Sequence, residues 1–234
     1  EGTLGIVTKI VLKLIPLPKF DLLMLAPFTD LEKASAAVSA IFRAGITPSA
    51  MELMEIDSIK IVSQMVDSTA FPVTDDIAAH LIIEVDGNNM DVLMGEMEAI
   101  AEVLTQFDAG EIFFADDAQQ KAELWKLRRR VAEAVKSIGY TIEEDTVVPR
   151  AELPKLVKGV KALGLQYGFH AVCYGHAGDG NLHIRINHPT IKNSYGSEEM
   201  NTILKELFVL VKSLGGTISG EHGIGLIQKT YMPI

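Results

Sequence analysis

An α+β fold is predicted, an antiparallel sheet of roughly six to eight strands with helices mainly on one face, ferredoxin-like in flavour. Three observations lead to it. From residue 20 onward, apolar runs of strand length alternate with runs of helical periodicity, and the loops between them are short. Two strand-prone runs flank Asp179-Gly180 and read as a hairpin, which pairs strands antiparallel. Hydrophobic residues make up 48% of the 234, enough for one core, or for one domain with a small appendage.

The chain opens with Glu1-Gly2-Thr3-Leu4-Gly5-Ile6-Val7-Thr8, two glycines beside an alternating strand, which reads as a tight strand entry. Pro16 and Pro18 remove donors and fix φ, so a boundary is expected there, with residues 1–19 separate from residues 20–234. Residues 20–27 read as a buried strand. Residues 30–44 read as a helix, capped by Asp30, with Val38, Ile41 and Phe42 at apolar spacing and Gly45 ending it. Strands follow at 50–56 and 79–85, with a short helix at 59–66 between them. An amphipathic helix is read at 91–106, its stripe formed by Val92, Met94, Ala99, Ile100, Val103 and Leu104. Met90, Met94 and Met97 on or near it read as core filler. A strand at 110–115 precedes a long helix at 116–137, which carries Trp125-Lys126-Leu127-Arg128-Arg129-Arg130. A solvated basic face is the plain reading of that run. Next come a strand at 141–148 and a helix at 152–167, with Pro154 tolerated in its first turn. After the hairpin, a helix at 197–213 buries Ile203, Leu204, Leu207, Phe208 and Val211, and Gly215-Gly216 breaks it.

The net charge of −10 makes nucleic acid an improbable partner and argues against electrostatic attraction to anionic lipid. Cys173 is the only cysteine, which rules out a disulfide framework and fits a reducing compartment; sitting in an apolar strand, it reads as core packing. Lys13, Pro16, Pro18, Lys19 and Asp21 interrupt the best apolar run, so no transmembrane segment is expected. The expected location is cytoplasmic, with a peripheral hold on a membrane as the second placement.

The candidate site lies in Tyr174-Gly175-His176-Ala177-Gly178-Asp179-Gly180-Asn181-Leu182-His183. Asp-Gly between alternating runs predicts a two-residue type I′ turn. That turn sets Gly178 opposite Asn181, Ala177 opposite Leu182 and His176 opposite His183. Opposed residues share a face, and two imidazoles so placed can meet one divalent ion at roughly 2.0–2.1 Å from each nitrogen. Gly220-Glu221-His222-Gly223 offers a carboxylate and another imidazole between glycines. Paired strand histidines also serve as hydrogen-bonded core or surface groups, so spacing alone leaves both readings open.

Taken together, Gly175-His176-x-Gly-Asp-Gly-Asn-x-His183 and Gly220-Glu221-His222-Gly-Ile-Gly resemble the C-terminal domain of FAD-linked oxidases acting on 2-hydroxy acids. That group includes D-lactate dehydrogenase, D-2-hydroxyglutarate dehydrogenase and the glycolate oxidase FAD subunit. The resemblance covers nearly the whole chain. It implies His176, His183 and Glu221 as ligands of a divalent metal and His222 as the base. Zn²⁺ is the first choice, with Mn²⁺, Fe²⁺ or Co²⁺ allowed. It also implies Arg128, three residues after Trp125, against the substrate carboxylate, where a planar guanidinium can meet both oxygens. The opening stretch resembles the end of the family's FAD-binding domain, which implies Glu1, Gly2, Gly5 and Ile6, together with Asn181, as FAD contacts.

Where relatives acting on D-2-hydroxyglutarate carry threonine, lysine and asparagine, this chain has Ala132, Glu143 and Arg185. Glu143 should repel a distal carboxylate, and Arg185 either joins Arg128 on the proximal one or pairs with Glu143. A small monocarboxylic 2-hydroxy acid is therefore expected, with hydride passing to FAD. The chain is expected to be a fragment, lacking most of the FAD site before Glu1 and the family's far end after Ile234. The electron acceptor is open, and a homo-oligomer or an iron–sulfur partner subunit is the expected company. Two other classes remain: a metal-dependent hydrolase, and a non-catalytic ferredoxin-like binding module with structural histidines.

Overall fold

A computed structural model of the chain describes residues 5–66, 73–115, 117–137, 141–190 and 195–234. Among the described residues, seven strands, all antiparallel, lie in the order β4-β1-β3-β2-β6-β7-β5. They are β1 (Phe20–Phe28), β2 (Ala50–Glu55), β3 (Ala79–Gly87), β4 (Phe113–Phe114), β5 (Ile142–Val147), β6 (His170–Gly175) and β7 (Asn181–Asn187). The helices are α1 (Leu31–Arg43), α2 (Ile56–Val66), α3 (Met90–Gln106), α4 (Ala118–Ser137), α5 (Leu153–Tyr167) and α6 (Glu198–Ser213).

The order follows from one unit used three times. β1 and β2 both run antiparallel to β3 and flank it, with α1 between them in sequence. In the same way β3 and β4 flank β1 with α3 between them, and β5 and β6 flank β7 with α5 between them. Each is a split βαβ, and the first two together give the ferredoxin-like arrangement, with α2 inserted before β3.

Helices α1, α3, α5 and α6 cover one face through residues such as Val38, Ile41, Ile100, Leu156 and Phe208. The other face is half covered. There α2 and α4 pack Ile59, Val62, Leu127 and Val131 against Leu23, Met54, Ile82, Val172 and Tyr174. The face expected to be exposed therefore carries two helices, and the site lies beside them.

Local signals act as read at several places. Asp30 accepts from Glu32 N–H (2.7 Å) and Lys33 N–H (3.2 Å), and Gly45 follows the helix at φ 86°. In α3 the buried stripe is Leu93, Met97, Ile100 and Leu104, with Val92 and Met94 about half exposed, because the helix turns its 93/97/100/104 row to the sheet. β4 is two residues long rather than six, since it pairs only at Met24 and Leu25 of β1. Gly5 to Thr8 form no strand, and the apolar side chains from Ile6 to Leu17 are exposed. Glu1, Gly2, Thr3, Leu4 and Asp116 lie outside the described residues. No helix among the described residues is long and apolar enough to cross a membrane.

Candidate metal centre

Strand alternation builds one wall of the site. Asn181, His183 and Arg185 of β7 point to the half-covered face, opposite Val147, Asp145 and Glu143 of β5, with Tyr174 of β6 beside His183. The expected facing pair of His176 and His183 is corrected. His183 pairs with Tyr174, and His176 to Gly180 form a loop around a 3₁₀ turn over Ala177–Asp179. Gly180 is left-handed (φ 75°) but Asp179 is not, so a type I′ turn, which needs φ > 0 at both, does not form. The slip is two residues, and a period of two keeps both histidines on one side. Their ring centroids are 5.7 Å apart.

Glu221 completes the cluster. Its Oε1 is 3.6 Å from His176 Nε2 and 3.6 Å from His183 Nε2. Donors about 2.1 Å from a tetrahedral ion stand about 3.4 Å apart, so this trio fits a divalent metal. The charge balance fits as well. Glu52, Glu143, Asp145 and Glu221 outnumber Arg128 and Arg185 by two, and a divalent cation offsets that difference. Burial pushes His183 below its ordinary pKa, ahead of the opposing pull of Glu143 and Asp145, and so favours the neutral imidazole that a metal needs. His176 is shifted upward, chiefly by its hydrogen bond to Glu52.

The loop bearing Glu221 is tied to Asp145. One carboxylate oxygen, Oδ2, accepts from the N–H groups of Gly220 (2.9 Å), Glu221 (2.6 Å) and His222 (2.8 Å), while Oδ1 accepts from Asn181 Nδ2 (2.6 Å). Burial raises the Asp145 pKa, but the His222 N–H, the Asn181 amide and the Glu221 N–H outweigh it and hold the carboxyl below its usual range. Asp145, His183 and His222 form a second group within metal-ligand reach, but Asp145's oxygens are already committed to these donors. His222 stacks on His183 (centroids 5.1 Å, planes at 22°) with its ring about half exposed to solvent. Beside it lies a cavity of about 230 Å³ lined by Glu143, Asp145, Tyr195, His222 and the 223–228 segment.

Both candidate arginines are paired. Arg128 on α4 meets Glu52 Oε2 through Nε (2.8 Å) and Nη2 (2.7 Å) and lies 5.8 Å from the Tyr174 ring centre. Trp125, one turn earlier, donates to Glu84 (2.8 Å) and so fixes the helix against β3. Arg129 is exposed, and Arg130 pairs with Glu133. Arg185 pairs with Glu143, the second of the two arrangements expected for it, and donates to Tyr174 Oη (3.1 Å). Asn181 gives its amide N–H groups to Asp145 and Thr146, and its Oδ1 has no hydrogen-bond partner among the described residues. Of the expected flavin contacts, Gly5 and Ile6 lie in the exposed segment, while Glu1 and Gly2 are outside the described residues. Sequence reasoning missed Glu52 and Asp145. Their signal was an acidic residue at an alternating strand position on a sheet otherwise rich in apolar residues.

Residues 17–234 match the family described as "FAD linked oxidases, C-terminal domain". A D-lactate dehydrogenase of Anaerostipes hadrus is 30% identical over 99% of this chain and 50% of its own length. The glycolate oxidase subunit GlcD of Bacillus subtilis is 32% identical over 99% of this chain and 48% of its own. The chain thus spans about half the length of these relatives. The substrate-bound structure of p-cresol methylhydroxylase superposes with TM-score 0.60 at 12% identity over 87% of this chain and 45% of that one, a likeness of fold.

Proposed function

The chain belongs to the FAD linked oxidases, C-terminal domain family, and from that premise we propose that it is the substrate- and metal-binding part of a flavoprotein that oxidises a small monocarboxylic 2-hydroxy acid. The observation that carries the reading is the convergence of His176 Nε2, His183 Nε2 and Glu221 Oε1 in a pocket with two excess negative charges. These residues would hold the ion, zinc first, with manganese, iron or cobalt also suited to nitrogen and oxygen donors. When bound, a divalent ion supplies Lewis acidity to the substrate hydroxyl, and FAD supplies the hydride acceptor. An anion meets a repulsive site until that cation is present.

His222 takes the hydroxyl proton at Nε2, held in place by its backbone N–H on Asp145 and by its stacking on His183. Arg128 sets the orientation of the substrate carboxylate, while Arg185 is held by Glu143. With Glu143 holding Arg185, the wall toward β5 has no free cation for a second carboxylate among the described residues. The cavity beside His222, about 230 Å³, falls below the roughly 300–1,000 Å³ of pockets for drug-sized ligands and suits a molecule as small as lactate or glycolate. FAD is assigned to Glu1, Gly2, Gly5, Ile6 and Asn181 with the rest of the full-length protein, and a homo-oligomer or an iron–sulfur subunit is the proposed partner.

The test is kcat/KM of the full-length gene product on D-lactate, glycolate and D-2-hydroxyglutarate, before and after metal removal. A monocarboxylate preference that is lost on chelation and restored by Zn²⁺ or Mn²⁺ is expected. Preference for the dicarboxylate rejects the role of Glu143, and activity indifferent to chelation rejects the metal.

A further inference from the structure

We propose that Glu52 is a positioning residue, one carboxylate that fixes His176 as a metal donor through Nε2 and ties that ligand to Arg128. The inference rests on the metal reading above. Glu52 lies on β2, 6% exposed, on the half-covered face beside Met54. Its Oε1 stands 2.7 Å from His176 Nδ1, and its Oε2 stands 2.8 Å from Arg128 Nε. A carboxylate has no proton to give, so the Nδ1–H of His176 donates to Oε1. The lone pair of His176 is thereby left on Nε2, the atom 3.6 Å from Glu221 Oε1.

His183 has no such support. Its Nδ1 has no hydrogen-bond partner among the described residues and stands 3.7 Å from Asp145 and 3.9 Å from Glu143. The two imidazoles are therefore unequal. His183 is held by burial, with its ring 7% exposed, whereas the ring of His176 is 40% exposed and depends on Glu52 for orientation and tautomer. A carboxylate hydrogen-bonded to the far nitrogen of a ligating histidine sets its tautomer and raises its basicity, and losing such a partner costs about 10- to 100-fold in metal affinity. The second oxygen gives Glu52 its other function. Arg128 comes from α4, and its guanidinium is locked on the second oxygen of the same group that locks the ligand.

The experiment uses the full-length gene product as parent, Glu52→Gln, Arg128→Met and the double variant. Glutamine keeps the size and removes the charge, and the double variant removes the buried cation that Glu52→Gln strands, so one of the two stays folded. Two readouts are taken: Mn²⁺ affinity by EPR titration, and the imidazole ¹⁵N shifts of His176 in metal-free protein labelled at histidine. A merely structural role would leave the second unmoved. The parent is expected to show His176 as the single Nδ1–H tautomer. Glu52→Gln and the double variant are expected to show mixed tautomers and about 10- to 100-fold weaker Mn²⁺ binding, with Arg128→Met close to the parent in tautomer. An unchanged His176 spectrum and parental Mn²⁺ affinity in Glu52→Gln or the double variant overturn the proposal while leaving the metal reading intact. A parent that takes up no Mn²⁺ overturns the metal reading instead, and the His176 spectrum then decides the role of Glu52.

Discussion

Glu144 is a fully buried carboxyl on β5, on the opposite face from the metal centre, hydrogen-bonded to Gln228. Burial pushes it up to about 8, against the pull of its Gln228 and Tyr195 hydrogen bonds and with the charges of Glu143 and Asp145 adding to the rise. The folded pKa exceeds the unfolded one, so between about 4.5 and about 8 the folded chain keeps a proton that the unfolded chain releases. Stability should therefore fall with rising pH across that window and level off above it. Glu144→Gln should remove the fall and be more stable than the parent at pH 8.5 by on the order of a few kcal/mol, as measured by urea unfolding at pH 6 and 8.5. Equal slopes in both proteins would refute it. Cys173 follows the same logic. Burial raises its thiol to about 12, ahead of Glu55, so it should stay unmodified by a disulfide reagent at pH 8 until the chain unfolds. The residues of the candidate metal trio were legible because glycine-flanked histidines and Glu-His carry a motif and because a two-residue slip preserves side-chain parity. Glu52 and Asp145 were not, since their partners lie between 36 and 124 residues away, beyond any local pattern.

At the scale of elements, the segment 217–223 is the least regular part of the site, and β5 determines where it runs. Thr217 bridges to Val147, and Gly220 N–H donates to both the carbonyl and the carboxylate of Asp145. A Cβ on Gly220 would press on Val147 Cγ2 at 2.8 Å and Asp145 Oδ1 at 3.0 Å. Gly220→Ala should therefore shift the loop, carrying Glu221 and His222 with it. Metal affinity and kcat should fall together while the melting temperature drops little, because the loop contributes few apolar contacts to the core. Asp145→Asn should act on the same loop, since an amide cannot accept three N–H groups as a carboxylate does. Calorimetric Zn²⁺ titration of either variant at parental affinity would rule out this tethering. Helix α1 was readable in the sequence because its capping signal at Asp30 is local. The 175–180 loop was misread because Asp-Gly also serves a 3₁₀ turn closed by one left-handed glycine.

For the whole molecule, three split βαβ units make a sheet whose two faces are unequal, and that inequality creates the site. Four helices cover one face; α2 and α4 pack on the β1-β3-β2-β6 part of the other, and among the described residues no helix covers the β7-β5 end, where the donors converge. The alternation of elements made the fold class legible. The second layer was less so, because α2 and α4 have the same apolar periodicity as the other helices and periodicity does not say which face a helix joins. Every proposed metal ligand and every group that orients one comes from β2, β5, the loop between β6 and β7, β7 and the 217–223 segment, all within this chain. Metal binding should accordingly be a local property. Flavin binding should not: five residues are assigned to it, and the relatives this chain matches are about twice as long. Residues 1–234 produced alone should fold cooperatively, take up one equivalent of Zn²⁺ or Mn²⁺ that His183→Ala abolishes, and purify without colour. Metal analysis and the visible spectrum of the same preparation check both halves. A yellow preparation with stoichiometric FAD would mean that the dinucleotide site lies within this chain, and a colourless one in which His183→Ala binds metal as the parent does would mean that the ligands are other residues.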